Sequence, residues 1–467
     1  MAGARLIFLV AALLGGGAAA RAEWPLVWDF DGRGDDPVAA RLGANGAAAG
    51  DLFVLASSFA QGQVSPHAEL LRIAPDGGIV WTVGDPDLHA PQALALRDDG
   101  STLAIGREGS GIRATAFTAA GTLAWSRSRS GVAADVAQNG PQSSPIWDAS
   151  AGGGAGAWRI PCGLGGDFAV LSFTAAGDPL PDVVWSPPTA EGRATSVLPR
   201  AGGGLLVAGL SETLSPPGWW TVALDAAGAE VWKRFDDGGT VAGIFTGAFL
   251  LSADPVRLWA DDETHCGVFS LRLWALDAAT GAPLWGATWP PNDVPNCDSF
   301  TPDGVTLDGD RILGSGVGHV AGVGASFDSI AVSFDAANGA LQWARVFAGA
   351  TTGIRAEVAA IDGGALVAST LFPDPNPGPT PLWLAAWDRD GGACGAPRSL
   401  VPARVNAALT VPAGGGTAAA LLVGYGFNVL GATQEDLVVQ RVDDPCAGLF
   451  RDGFESGGTG HWSAAQP

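Results

Sequence analysis

The stretch Leu273-Trp-Ala-Leu-Asp-Ala-Ala-Thr-Gly-Ala-Pro-Leu-Trp285 decides the fold of this 467-residue chain. An alternating apolar segment reaches an aspartate, turns through Thr-Gly and resumes up to a tryptophan. Strands have a period of two, and a turn glycine takes a positive φ without steric cost, so this pattern is typical of a β-hairpin. The stretch therefore predicts two adjacent strands of an antiparallel sheet.

Related phrases end at seven tryptophans, with a mean spacing of 52.5 residues. These residues are Trp28, Trp81, Trp125, Trp185, Trp232, Trp285 and Trp343. In most units a second hairpin precedes the phrase, as at Gly202–Gly209 and Gly309–Gly316. Four strands per repeat at this period predict the blade of a β-propeller. Because a large ring at a repeated position buries much apolar area, we expect these tryptophans to pack between blades.

The two ends of the repeat predict eight blades in a closed ring. Leu437–Asp443 supplies a third strand to the last unit, and no strand pattern follows it. Trp24–Trp28 reads as an outer strand with no strands before it, so it is expected to complete the last blade and remove the open sheet edges. The predicted fold is all-β: a single eight-bladed β-propeller of four-stranded antiparallel blades, closed by the N-terminal strand.

One unit resembles the tryptophan-docking motif of quinoprotein propellers, which contain a pyrroloquinoline quinone (PQQ)-like repeat. The matching residues are Ala275, Leu276, Asp277, Thr280, Gly281 and Trp285. That superfamily includes PQQ-dependent dehydrogenases and non-enzymatic propellers of the bacterial envelope, so the resemblance implies the eight-bladed fold and leaves the activity open. This chain departs from the quinone-dependent alcohol dehydrogenases of that superfamily. Those enzymes usually have adjacent cysteines, whereas none of the five cysteines here adjoins another.

Residues 1–22 have the organisation of a secretory signal peptide. Arg5 precedes a short apolar core, and the triplet Ala20-Arg21-Ala22 supplies the small residues of a cleavage site. We predict cleavage after Ala22, a propeller over 23–446 and a flexible tail over 447–467. The tail resembles a short ending found on many secreted proteins of gamma-proteobacteria, with the motif Phe-x-Asp-Gly-Phe-Glu-Ser-Gly. The expected location is periplasmic or extracellular, and the expected state is a monomer.

A second uncharged run, Ala407–Thr433, is long enough to cross a bilayer as a helix. It contains Pro412 and a glycine triplet, which would break such a helix repeatedly. We therefore predict two strands with a glycine-rich turn and no transmembrane segment.

The net charge limits the classes of molecule that the protein is expected to bind. The net charge of -22 disfavours nucleic acid, since a surface of that sign repels phosphate. An unidentified protein or glycan is the expected ligand.

Five cysteines in an exported chain allow two disulfides. The blade register suggests Cys266 with Cys297 and Cys394 with Cys446, which leaves Cys162 as a free thiol.

Two short stretches are candidates for a binding site. Trp219 and Trp220 follow two prolines, so they are predicted to lie in a loop and to offer aromatic surface to a ligand. Asp29, Asp31 and Asp35 alternate around glycine in the way that a calcium-binding loop presents its oxygens, although the usual distal glutamate is missing. No cofactor is predicted beyond this open option of Ca²⁺.

No pattern indicates a catalytic site. The histidines show no zinc-type spacing, and neither a Gly-x-Ser-x-Gly elbow nor a phosphate-binding loop is present. The sequence therefore favours a binding or scaffold propeller without catalysis. Two alternatives stay open: a PQQ- or calcium-dependent oxidoreductase that uses the central funnel, and a glycan-binding or glycan-cleaving surface protein.

Overall fold

The fold is given by a computed structural model. It describes residues 26–28, 34–43, 45–59, 67–133, 145–188, 191–211, 218–237, 248–263, 269–290, 299–319, 328–347, 353–361, 364–371, 381–395, 398–402, 404–411, 419–427, 435–443 and 446.

Strand β1 and blades 1 to 4 occupy the first half of the chain. Strand β1 is Leu26–Trp28. Blade 1 contains β2 Gly34–Leu42, β3 Leu52–Phe59, β4 His67–Ile73 and β5 Ile79–His89. Blade 2 contains β6 Pro91–Leu96, β7 Thr102–Glu108, β8 Gly111–Phe117 and β9 Leu123–Arg129. Blade 3 contains β10 Val132–Ala133, β11 Ile146–Asp148, β12 Ala157–Leu164, β13 Asp167–Phe173 and β14 Pro179–Trp185, with the short helix α1 Ala151–Gly154. Blade 4 contains β15 Gly192–Pro199, β16 Leu205–Ser211, β17 Gly218–Leu224 and β18 Glu230–Asp237.

Blades 5 to 8 follow in the same order. Blade 5 contains β19 Ala248–Ala253, β20 Val256–Glu263, β21 Phe269–Leu276 and β22 Pro283–Trp289. Blade 6 contains β23 Ser299–Asp308, β24 Arg311–His319, β25 Asp328–Asp335 and β26 Leu341–Phe347. Blade 7 contains β27 Gly353–Ile361, β28 Gly364–Leu371, β29 Pro381–Asp388 and β30 Arg398–Pro402. Blade 8 contains β31 Arg404–Val411, β32 Ala419–Phe427, β33 Glu435–Asp443 and β1.

The N-terminal strand closes the ring, as predicted. Strand β1 pairs antiparallel with β33, with Leu26 opposite Val439 and Trp28 opposite Leu437. The first strand of each blade is innermost and contacts the first strand of a neighbouring blade around most of the circle, including β2 of blade 1 against β31 of blade 8. The prediction of an all-β, eight-bladed propeller is therefore confirmed. Blade 3 departs from the pattern, because two short segments, β10 and β11, share the place of its innermost strand beside β12.

The recurring aspartate of each phrase shapes a turn. The side chain of Asp277 accepts hydrogen bonds from the backbone N–H groups of Ala279 and Thr280, at 3.1 and 2.8 Å. Asp225 and Asp388 do the same in their blades, and the hydroxyl of Thr174 accepts the N–H of Asp178 at 3.0 Å. Such local bonds pre-form a turn, which explains why the repeat contains either Asp or Thr at this place.

Six of the seven repeated tryptophans lie at the interfaces between blades. The indole Nε1 groups of four of them donate to main-chain oxygens in the turn of the next blade, at 3.0 to 3.1 Å: Trp81 to Ala119, Trp125 to Ala175, Trp232 to Ala278 and Trp343 to Arg389. Trp185 donates instead to the carboxylate of Glu230 at 2.8 Å. The ring of Trp285 covers Gly339. These six tryptophans thus pack between blades, as the repeat predicts. Trp28 lies in β1.

The hydrophobic core is divided among these interfaces instead of forming one central mass. Leu206 and Ala208 of blade 4, for example, cluster with Val256 and Leu258 of blade 5. A disulfide joins Cys394 and Cys446, with 4.9 Å between their Cα atoms, which is the second pairing suggested by the blade register. It attaches the end of blade 8 to the turn region of blade 7. Cys162 is free and buried in blade 3.

The run Ala407–Thr433 forms strands, as predicted: its described residues belong to β31 and β32. Among the helical residues that the structure describes, none belongs to a helix long and apolar enough to cross a bilayer.

Candidate functional site

One irregularity recurs on the innermost strands. In seven blades the pairing between the first and second strand shifts by one residue near the same place. The extra residues are Val38, Gln92, Thr195, Leu251, Asp303, Ile354 and Asn406. A β-bulge re-aims the side chain of its extra residue, so a polar residue at this place can leave its own sheet.

Three of these residues bond to the innermost strand of the next blade. The hydroxyl of Thr195 donates to the oxygen of Ala248 at 2.7 Å. The backbone N–H of Ala356 donates to Asp303 Oδ2 at 2.8 Å. The side-chain amide of Asn406 donates to the oxygen of Pro37 at 2.6 Å. The bulge residue thus links blade 4 to 5, blade 6 to 7 and blade 8 to 1.

Two of the three links belong to a network of charged groups, which we name the inner-strand cluster. Its members are Asp303, Arg355, Glu357, Asn406 and Asp36, and they come from the innermost strands of blades 6, 7, 8 and 1.

Arg355 lies at the middle of the inner-strand cluster. Its guanidinium donates to Glu357 Oε1 through Nε at 2.9 Å and through Nη2 at 2.7 Å. It also donates to the main-chain oxygen of Asn406 at 3.2 Å. The amide of Asn406 in turn donates to Asp36 Oδ1 at 3.0 Å. The hydrogen bonds therefore run without interruption from blade 7 through blade 8 into blade 1.

The electrostatics of the cluster are unusual for carboxylates. Burial raises the pKa of Asp303 to about 7, with Arg355 opposing the rise and Glu357 adding to it. Burial likewise raises the pKa of Glu357 to about 6, although the ion pair with Arg355 opposes this. The pKa of Arg355 is itself raised, because the nearby carboxylates Glu357, Asp303 and Asp36 outweigh its desolvation. Three carboxyl groups thus face one guanidinium.

The cluster can interact with a cationic group or exchange a proton. Carboxyl groups with pKa values near neutrality are often found at functional sites, since burying them costs stability. The amide of Asn406 and the three carboxyl groups also give hydrogen-bond acceptors for a ligand that carries ammonium or guanidinium. Within the described part of the chain, no group of three or more His, Cys, Asp or Glu side chains is arranged to hold a metal ion.

The structure corrects the expectation for Trp219 and Trp220. They do not lie in a loop: both belong to β17, and Trp219 is fully buried while Trp220 is 8% exposed. The loop prediction was wrong because the prolines precede the strand, which begins directly at Gly218. Successive strand residues face opposite sides of a sheet. Trp219 therefore packs against Trp274 of blade 5, and Trp220 against Trp185 of blade 3, with ring centroids 5.7 and 5.3 Å apart.

The other predicted site residues are only partly described. Asp35 lies on β2, beside Asp36 of the inner-strand cluster. Asp29, Asp31, Cys266 and Cys297 lie outside the described residues, as do the predicted signal peptide and the whole predicted tail, 447–467. Calcium binding by the aspartates therefore stays a prediction.

Sequence reasoning missed the inner-strand cluster. Asp36 and Asn406 are 370 residues apart in the chain, and only closure of the ring brings them together. A signal was nevertheless present: Asp303 and Asn406 are 103 residues apart, close to two repeats, and occupy the same bulge position in blades 6 and 8.

Two histidines also meet unexpectedly, because His67 on β4 lies opposite His89 on β5. His67 Nε2 is 3.4 Å from Glu69 Oε1.

The blades, the closing strand and the docked tryptophans define the chain as an eight-bladed β-propeller. No protein-family model and no curated protein sequence matches it. Among solved structures it is similar to BamB from Moraxella catarrhalis, at 16% identity and a TM-score of 0.37, over 76% of this chain and 97% of that one. It is also similar to quinohemoprotein alcohol dehydrogenase from Comamonas testosteroni, at 12% identity and a TM-score of 0.48, over 84% and 73%.

A third similarity is to prolyl oligopeptidase B from Galerina marginata, at 10% identity and a TM-score of 0.48, over 84% of this chain and 56% of that one. Two of the three are named as enzymes of different kinds, an alcohol dehydrogenase and a prolyl oligopeptidase. At such identities the similarity concerns the fold alone.

Proposed function

We propose that this protein is an exported β-propeller that binds a ligand without transforming it, and that the inner-strand cluster is its binding site. The ligand class that fits the cluster is a molecule or protein segment with a cationic group. The periplasm or the extracellular space is the proposed location, which rests on the signal-peptide pattern of residues 1–22.

One observation carries the proposal. The innermost strands of blades 6, 7 and 1 gather the carboxyl groups of Asp303, Glu357 and Asp36 around the guanidinium of Arg355. Burying an excess of carboxylate costs folding free energy, which a hydrophobic side chain at the same place would not. A cationic ligand offsets that cost, because it supplies the missing positive charge in a site of reduced dielectric constant.

The test is a thermal-shift screen of the purified exported protein. The probes are spermidine, arginine amide, glucosamine, Ca²⁺ and a neutral oligosaccharide, each at a fixed ionic strength. At least one ammonium or guanidinium compound is expected to raise Tm, because a ligand that binds only the folded state stabilises it. The same compound is expected to leave Tm unchanged in Asp303→Asn/Glu357→Gln, which removes two carboxylates and keeps their shape.

The matched control is Asp98→Asn/Asp390→Asn, which removes two exposed carboxylates from turns and should bind like the parent. Loss of the shift in both double variants would show a general charge effect and would refute the site. A shift caused only by the neutral oligosaccharide would move the assignment to glycan binding. Mass spectrometry and absorbance of the same preparation test the remaining parts: a mature N-terminus at Glu23 supports export, and a bound quinone would replace the binding function by the oxidoreductase alternative.

A further inference from the structure

We propose that Asp303, Arg355, Glu357 and Asn406 act as a proton-sensitive clasp, which holds the closing arc of the ring more firmly at mildly acidic than at neutral or alkaline pH. This device concerns the stability of the ring and does not depend on the proposed ligand.

The first ground is the position of the clasp. Its hydrogen bonds connect four innermost strands in sequence: β23 to β27 through Asp303, β27 to β31 through Arg355, and β31 to β2 through Asn406. The last of these links lies at the interface of blades 8 and 1, where the chain closes on itself. The outermost strand of blade 8 is β1, Leu26–Trp28, which pairs with β33. The charged links therefore lie in the arc where the first and last strands of the chain meet.

The second ground is the charge that surrounds the two carboxyl groups. Strand β23 contributes Asp303, β27 contributes Arg355 and Glu357, and β2 contributes Asp36. Two hydroxyl groups of neighbouring strands bond to the backbone beside the cluster: Ser315 of β24 donates to the oxygen of Ala356 at 2.8 Å, and Thr370 of β28 accepts the N–H of Val405 at 3.0 Å.

When all three carboxyl groups of the cluster are ionised, one guanidinium faces three negative charges. Protonation of Asp303 or Glu357 removes one of the repelling charges. The hydrogen bond from Ala356 persists, because a neutral carboxyl group keeps an acceptor oxygen.

The direction of the effect follows from linkage. The pKa values of Asp303 and Glu357 in the fold, about 7 and about 6, lie above those of ordinary carboxyl groups. The folded state therefore binds protons more tightly than the unfolded state, so the stabilisation is complete near pH 4 and is lost as the pH rises through 6 and 7. Most buried carboxylates in ion pairs give the opposite dependence, which makes the prediction distinctive.

The experiment measures Tm of the exported protein between pH 5 and pH 8 at constant ionic strength. The parent is compared with Asp303→Asn, with Glu357→Gln and with the control Asp390→Asn, whose carboxylate is exposed. General repulsion in this acidic chain also favours low pH, and the control reports that background. Relative to the control, Asp303→Asn is expected to raise Tm at pH 8 by on the order of 3 °C and to leave it unchanged at pH 5.

Hydrogen exchange of the segment 353–361 provides a second measurement on the unmodified protein. The Ala356 amide is expected to gain protection, after correction for intrinsic exchange, as the pH falls from 8 to 5. Parallel Tm curves for all four proteins would overturn the proposal, and so would protection of Ala356 that does not vary with pH. If Asp303→Asn does not fold, Glu357→Gln and the exchange measurement still decide the question.

Discussion

The contact between Gly281 and Trp232 offers a sharp test of how the blades are held together. Gly281 lies in the turn between the third and fourth strands of blade 5, with φ at +70°. A Cβ atom added there would lie 2.5 Å from the indole ring of Trp232 in blade 4. We therefore predict that Gly281→Ala destabilises the protein by separating the two blades.

Two costs add up in that substitution. Alanine in the left-handed region costs about 1 to 2 kcal/mol. Displacement of a packed tryptophan adds about 1 to 3 kcal/mol, the usual penalty for an overfilled core. The expected loss in the free energy of unfolding is thus about 2 to 5 kcal/mol.

Gly309→Ala is the matched control. Gly309 also has a positive φ, +57°, and nothing lies within 4 Å of its added Cβ. Both variants restrict the unfolded chain equally, so that contribution cancels between them. The control should lose only the conformational part, about 1 to 2 kcal/mol.

Equilibrium urea unfolding measures the free energy of unfolding of both variants. Far-ultraviolet circular dichroism is the readout, because it follows the strands of the whole protein and not mainly the ring of Trp232. If the two alanine variants lose the same free energy, the tryptophan contact does not stabilise the interface and the docking argument is refuted.

Three further substitutions test other parts of the structure. Cys446→Ser, which removes the disulfide to Cys394, is expected to cost about 4 kcal/mol, since the bond closes a loop of 52 residues; reducing agent should then lower Tm of the parent by more than it lowers Tm of the variant. Trp343→Phe is expected to cost about 1 kcal/mol in urea unfolding, because it loses the hydrogen bond to the oxygen of Arg389; a change below 0.3 kcal/mol, about the error of such measurements, would argue against that bond. Trp219→Phe is expected to lower the free energy of unfolding by about 1 to 2 kcal/mol through lost aromatic packing, while fluorescence titration with an oligosaccharide should give the same result as for the parent; a binding loss specific to the variant would restore its role as a ligand contact.

The repeat made the architecture predictable. A tryptophan, a turn glycine and an Asp or Thr recur because each solves a local problem that most blades share, so they are visible in one sequence without relatives. The closing role of β1 could be predicted for the same reason: an unpaired outer strand at one end matches a blade of three strands at the other.

The inner-strand cluster could not be predicted in this way. Its residues differ from blade to blade, and their meeting depends on a one-residue bulge, which the spacing of Asp303 and Asn406 does not reveal by itself. A shift of one residue changes which side chain faces the neighbouring blade, so periodicity alone does not place Asp303 or Asn406. The loop prediction for Trp219 failed for a related reason, since prolines indicate where a strand cannot continue but leave its first residue open.

The seam between β1 and β33 also constrains the order in which the molecule can assemble. It joins residues about 410 positions apart, so seven blades and most of the eighth must be synthesised before the final strand finds its partner. Once β33 is made, its outer edge stays unpaired until β1 joins it, and an unpaired strand edge can associate with a second chain. The nascent protein is therefore most prone to associate with other chains at the end of its synthesis. A chaperone that covers the one exposed edge would be sufficient to protect it.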